Sequence, residues 1–176
     1  MSLDFIKSKL AAVENFPKPG VTFRDITPLL ADPNGLKETS LELVGEIKKQ
    51  GLKPTVIAGA ESRGFIFGVA LAEMLGLGFV PIRKPGKLPR ETYSVSYDLE
   101  YGSDTLEIHK DAFSKDDRVL IVDDLLATGG TAEAAVKLIE QEAQAKIEGL
   151  MFVIELEDLN GVAKLEGQKV SSLVKF

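Results

Sequence analysis

The 176-residue chain predicts an α/β fold: one domain, residues 1–176, built on a mostly parallel twisted sheet flanked by helices. Short apolar runs at Thr55–Ala58, Phe79–Ile82 and Val119–Val122 alternate with longer stretches of helical periodicity. Such runs suit strands covered on both faces, and strand–helix alternation implies parallel strands joined by right-handed crossovers. From Glu91 to His109 the pattern changes to period two, with Tyr93, Val95 and Tyr97 alternating and then Leu106 and Ile108. That segment predicts an antiparallel hairpin turned at Tyr101-Gly102-Ser103, an insertion over the C-terminal edge of the sheet that would serve as a flexible lid.

In chain order, Leu3, Ile6, Leu10 and Val13 mark one face of an opening amphipathic helix, which Phe16-Pro17-Lys18-Pro19-Gly20 ends. Asp25-Ile26-Thr27-Pro28 offers a helix start with Thr27 as cap and Pro28 in the first turn. Leu36 to Lys49 reads as a helix closed by Gly51, and Ser62 to Leu75 as a helix closed by Gly76. Pro81 places the Phe79–Ile82 strand at a bend or an edge. Beyond the Val119 strand and its helix lie strands at Lys146–Ile154 and Val170–Val174, with Glu155 and Glu157 read as a solvated strand edge.

Composition narrows the function classes. With 21 Lys and Arg against 27 Asp and Glu the net charge is −6, which argues against nucleic acid as the main partner. No apolar run approaches the roughly 20 residues of a membrane span, and Met1-Ser2-Leu3-Asp4 does not read as a signal peptide. The absence of cysteine excludes disulfides and thiolate metal sites and fits a cytoplasmic location. Against the acidic background, residues 83–90 carry Arg83, Lys84, Lys87 and Arg90 with no acid, held by prolines and a glycine. Such a run suits an anion such as pyrophosphate.

The most specific string is Val119-Leu120-Ile121-Val122-Asp123-Asp124-Leu125-Leu126-Ala127-Thr128-Gly129-Gly130-Thr131. Two carboxylates follow the apolar strand where open α/β sheets place ligands. Ala127, Thr128, Gly129, Gly130 and Thr131 then form a small, hydroxyl-bearing turn into a helix, whose converging N–H groups and positive dipole end make a phosphate cradle. Asp123 and Asp124 would repel the phosphate itself and suit a sugar diol or a Mg²⁺ ion. The string lacks the Gly-Lys-Ser/Thr of a Walker loop and the Gly-x-Gly-x-x-Gly of dinucleotide folds. A second strand-to-helix turn brings Glu61, Ser62 and Arg63 together, and its helix start, hydroxyl and guanidinium suit an anion. Phe23, between Thr22 and Arg24, offers a face to a flat base, although burial is the usual fate of a phenylalanine. Glu100 and Tyr101 fall at the hairpin turn. His109, the only histidine, has no evident partner.

With these residues in view, the chain from about Phe16 onward resembles the adenine phosphoribosyltransferases, within the type I phosphoribosyltransferase family. The likeness lies in Phe16-Pro17-Lys18-Pro19-Gly20, Phe23-Arg24-Asp25-Ile26, Glu61-Ser62-Arg63-Gly64-Phe65, Arg83-Lys84-Pro85-Gly86-Lys87-Leu88-Pro89, Leu99-Glu100-Tyr101-Gly102 and the Asp123–Thr131 string. It implies the type I fold with a small N-terminal hood (1–30) contributing to the base site and a lid (91–109). It implies transfer of phosphoribosyl from 5-phosphoribosyl 1-pyrophosphate (PRPP) to adenine, giving AMP and pyrophosphate with Mg²⁺, in a cytoplasmic homodimer. The metal would come with PRPP, near Asp123 and Asp124, with no direct protein ligation expected.

By the same resemblance Asp123 and Asp124 face the ribose, and Ala127 to Thr131 hold the 5′-phosphate. Glu61, Ser62 and Arg63 meet pyrophosphate with Arg83, Lys84 and Lys87, some of these cations acting across the dimer. Thr22, Phe23 and Arg24 hold adenine, Glu100 is the proton-transfer residue, and Tyr101 belongs to the lid. A non-proline cis peptide at Glu61-Ser62 is implied as well. Ala127 stands where 6-oxopurine enzymes usually carry an aspartate, which favours adenine. The alternatives are a transferase for another purine base and a purine-responsive binding module without turnover.

Overall fold

A computed structural model of the protein describes residues 3–98 and 102–176. Helix α1 (Leu3–Ser8) leads into strand β1 (Ala11–Glu14), which pairs antiparallel with β2 (Thr22–Asp25) around a turn containing a cis Phe16–Pro17 bond. Helices α2 (Thr27–Ala31) and α3 (Gly35–Lys49) follow. Then come β3 (Val56–Ala60), α4 (Arg63–Leu75) and β4 (Gly78–Ile82). The antiparallel hairpin β5 (Thr92–Asp98) and β6 (Ser103–His109) precedes β7 (Arg118–Leu126). Helix α5 (Gly130–Lys137) continues into a π-helical turn, Leu138–Glu142, and β8 (Lys146–Glu155) and β9 (Val170–Lys175) complete the sheet.

The main sheet runs β4-β3-β7-β8-β9, every pair parallel. Strand β7 sits at its centre, and its apolar run is continuous because both faces are covered. Leu120 and Val122 join a core with α1, α3 and α4, while Val119 and Ile121 face α5, the π-helical turn and the hairpin. Chain order reverses between β3 and β7, so the crevice beyond their C-terminal ends is the topological switch point where such sheets bind ligands.

Several expectations need correction. The opening helix stops at Ser8, and Val13 is an exposed strand residue, because pairing with β2 satisfies the backbone that a longer helix would have used. Helix α2 has Ile26, not Thr27, at its N-cap, and the Asp25 carboxylate just before it accepts from the backbone N–H (2.9 Å) and hydroxyl (2.6 Å) of Thr27, the first helical residue. Strand β7 runs through Asp123 and Asp124 to Leu126, so the carboxylates stand on the strand and not beyond it. Glu155 is buried, since β9 covers β8 and Lys175 pairs with its carboxylate at 3.2 Å. As expected, Pro81 lies on an edge strand. That edge is partly covered where Arg83 and Glu107 exchange backbone hydrogen bonds, and Leu106 and Ile108 of β6 are buried in the core.

Candidate active site

The ends of β3 and β7 open into one cavity of about 430 Å³. Its wall includes Glu61, Ser62 and Arg63 from the turn after β3, Asp123 and Asp124 on β7, and Ala127, Thr128, Gly129, Gly130 and Thr131 from the turn into α5. The two strand-to-helix turns singled out in the sequence thus meet at the switch point. The Glu61–Ser62 peptide is cis, as the resemblance implies. Gly129 takes φ +80° as the N-cap of α5, and a Cβ there would overlap the Gly161 carbonyl. A Cβ at Gly161 would in turn overlap the Ala127 carbonyl, so the cradle is braced from behind by a distant segment that the sequence did not flag.

Asp123 and Asp124 dominate the electrostatics. Burial, followed by repulsion from Asp124, pushes the Asp123 carboxyl well above its ordinary value. Burial raises Asp124 too, although Arg63 opposes the shift. The Asp123 Oδ1 atom accepts from the Asp124 backbone N–H at 2.9 Å. Arg63 Nε lies 2.9 Å from Asp124 Oδ2, close enough for an ion pair but without hydrogen-bond alignment, so that buried oxygen has no hydrogen-bond donor. A buried acceptor in the wall of a polar cavity suits sugar hydroxyls or a hydrated cation. No three His, Cys, Asp or Glu side chains among the described residues cluster to hold a metal by themselves.

The other cations divide. Lys84 lines the cavity and pairs with Asp104 of β6. Arg83 turns to Glu61, Nε to Oε2 at 2.5 Å, and is not among the lining residues. Burial alone would raise the Glu61 carboxyl, but Arg83 and the Lys84 backbone hold it below its ordinary value. Lys87 is exposed on the loop, also outside the lining. Leu125, Leu126 and Ala132 also line the cavity, as do Leu106 and Phe152, neither of which a motif marks.

A second, largely apolar cavity of about 440 Å³ is lined by Val13, Phe16, Phe23, Asp25, Ile26, Thr27 and Arg63. Phe16 and Phe23 meet edge to face with centroids 5.3 Å apart, and the Arg63 guanidinium lies 5.4 Å from the Phe23 ring centroid. Arg63 belongs to both cavities. Thr22 is exposed and Arg24 turns away, its guanidinium stacked 3.9 Å from the Phe176 centroid, so neither side chain lines this pocket. Sequence reasoning found Phe23 but missed Val13, Phe16, Asp25, Ile26 and Thr27. The resemblance places residues 1–30 in a hood at the base site and includes Phe16, Asp25 and Ile26 in its strings, but assigns no base contact to these side chains, and the local pattern gives a helix start at Asp25 to Thr27 and a helical face at Val13. Glu100 and Tyr101 lie outside the described residues.

Residues 29–168 match the phosphoribosyl transferase domain family. The chain is 72% identical over 176 residues to an adenine phosphoribosyltransferase of Francisella philomiragia, covering 100% of both chains. It is 69% identical to one from Francisella tularensis subsp. holarctica, again over 100% of both. Among solved structures, the adenine phosphoribosyltransferase of Thermoanaerobacter pseudethanolicus superposes with a TM-score of 0.95 at 48% identity, covering 99% of this chain and 100% of that one. The Saccharomyces cerevisiae enzyme, solved with an imino-altritol bisphosphate and adenine, gives 0.90 at 42% identity, covering 98% of each. A family match over most of the chain, relatives alike from end to end and the same fold in solved members show that the chain belongs to the adenine phosphoribosyltransferases of the type I phosphoribosyltransferase family.

Proposed function

We infer that the protein transfers the 5-phosphoribosyl group of PRPP to adenine, releasing AMP and pyrophosphate. The observation that carries this reading is that Arg63 lines both the polar cavity and the aromatic pocket, so sugar-phosphate and base would meet at one side chain. In the reaction the ribose C1–oxygen bond to pyrophosphate breaks, a bond from C1 to a ring nitrogen of adenine forms, and that nitrogen gives up its proton. The transition state has oxocarbenium character, so the site must stabilise a departing anion and position a weak nucleophile.

Each side chain has a task in this scheme. The N–H groups from Ala127 to Thr131 hold the 5′-phosphate, and Asp123 and Asp124 face the ribose hydroxyls. Arg63, Lys84 and the backbone of Glu61 and Ser62 meet pyrophosphate, the Glu61 carboxylate being occupied by Arg83. Asp123 and Asp124 would lie near a Mg²⁺ ion brought in with PRPP, which would supply charge neutralisation to the leaving group. Phe23 stacks on adenine while the main chain of Thr22 and Arg24 reads its edge, and Glu100 takes the proton. Arg83 and Lys87, which lie outside this cavity's lining, fit contributions across a homodimer interface. The hairpin 91–109 excludes water from the activated sugar. Hood, lid and transferase site belong to one domain. Among the described residues no helix is long and apolar enough to cross a membrane, and the cysteine-free sequence fits a cytoplasmic enzyme.

A spectroscopic assay with PRPP, Mg²⁺ and each purine base in turn tests the reading. Turnover with adenine far above that with hypoxanthine, guanine or xanthine is expected. Preference for a 6-oxopurine would overturn the base assignment, and binding without turnover would make the protein a purine-responsive module.

A further inference from the structure

Lys84 and Arg63 both line the polar cavity and both are paired with carboxylates, but the two pairings differ in kind. Asp124, the partner of Arg63, itself faces the cavity. Asp104, the partner of Lys84, is not among the lining residues and comes from β6, the second strand of the hairpin. Its carboxylate is held on three sides. Oδ1 accepts from the Thr105 backbone N–H at 2.8 Å, and Oδ2 accepts from Lys84 Nζ and from the Tyr97 hydroxyl at 3.2 Å. The Tyr97 hydroxyl also lies 3.3 Å from Thr131 Oγ1 in the phosphate cradle. Burial, the largest single influence, would lower the Lys84 ammonium, but the hydrogen bond to Asp104 and the attraction of Tyr97 and Asp104 together outweigh it and raise the group above its ordinary value.

We propose that Asp104 is a positioning residue whose carboxylate holds Lys84 in the cavity wall until the pyrophosphate group of PRPP takes the ammonium in its place. This rests on the assignment of Lys84 to pyrophosphate above. The physical argument is one of competition. A lysine side chain is long and loses considerable rotamer freedom when fixed. Asp104 fixes it beforehand near where the substrate's anion must sit, but the substrate then has to displace a carboxylate, and that competition outweighs what the prior ordering saves. The pair is part-exposed, at 35% and 28% side-chain exposure, so the competing attraction is modest. Removing the Asp104 charge leaves the ammonium unpaired beside the anion site, and a polyanion then binds more tightly.

The test is calorimetric titration of PRPP with Mg²⁺, and separately of inorganic pyrophosphate, into the wild type, Asp104→Asn, Lys84→Ala and the double variant. Asparagine keeps the oxygen that accepts from Thr105, so the hairpin should survive, which its melting curve checks. Asp104→Asn should tighten both ligands by about two- to five-fold while the KM for adenine stays unchanged. In the Lys84→Ala background the same substitution should change neither constant. A merely structural role would weaken binding, and no change or weakening in Asp104→Asn overturns the proposal. Equal tightening with and without Lys84 also overturns it, since the effect would then be general charge. If Lys84→Ala alone leaves pyrophosphate affinity intact, the assignment of Lys84 to pyrophosphate fails. If that variant binds weakly while Asp104→Asn matches the wild type, the Lys84 assignment stands and only the Asp104 proposal falls.

Discussion

Asp124 combines burial, a nearby guanidinium and an oxygen without a hydrogen-bond donor, a combination that a plain structural carboxylate would avoid. Asp124→Asn should therefore fold with a melting temperature near or above the wild type, while turnover falls on the order of 10²-fold or more, as when a preorganised group at a reacting centre is lost. Melting and kinetics on one sample check this, and a clear loss of stability with activity kept would mark Asp124 as a merely structural carboxylate of β7. Glu100→Gln should lower turnover by roughly 10²–10⁴-fold with little change in substrate affinity, measured where chemistry limits the rate. At this scale much of the site was legible. Asp123, Asp124, Arg63, Phe23 and the cradle carry residue types whose chemistry is visible in one dimension. Asp104 and Tyr97 were not legible as partners of Lys84 and Thr131, because only folding brings the hairpin against the cradle.

The cradle shows how an element depends on a remote one. Gly129 and Gly161 approach so closely that a methyl on either meets the other segment's backbone. Gly161→Ala should cost about 1–3 kcal/mol in a melting experiment, a range typical of forced backbone strain. It should also raise the KM for PRPP more than that for adenine, because the displaced atoms include the Ala127 carbonyl. Gly45, on the exposed side of α3 with nothing within 4 Å of an added Cβ, provides the contrast. Gly45→Ala should stabilise the protein by about 0.5–1 kcal/mol through helix propensity and leave both KM values unchanged. The long helices and central strands were legible because their periodicity extends over many residues, as α3 and α4 show, closed at Gly51 and Gly76. The opening segment departs from its helical pattern because four apolar residues fit a helical face equally well and nothing local records the β1–β2 pairing.

For the whole molecule, titration runs in two opposed directions. Asp117 and Glu46 are held below their ordinary values, Asp117 first by the Ser114 backbone and Glu46 first by the Gln50 side chain. Their contribution is present above the unfolded carboxylate range of about 4 and is lost as pH falls through their folded values. Asp123 is raised, so its folded form holds its proton more tightly than the unfolded chain does. Its contribution is full below about 4 and is lost as pH rises toward and through the folded value. Asp123→Asn should therefore raise the melting temperature of the ligand-free protein at pH 7, with the gain shrinking toward zero as pH falls to about 4, while abolishing most activity. Melting curves across that range decide it. The sequence by itself determined the α/β class and the two strand-to-helix turns, and narrowed Pro81 to a bend or an edge, because each follows from local backbone needs and side-chain type. Only the tertiary structure decided that Arg63 lies between two cavities, that Gly161 braces the cradle, that Glu155 is buried and that Asp104 reaches Lys84. These depend on strand order and on packing between segments distant in the chain, where no local pattern records which neighbour a side chain will meet.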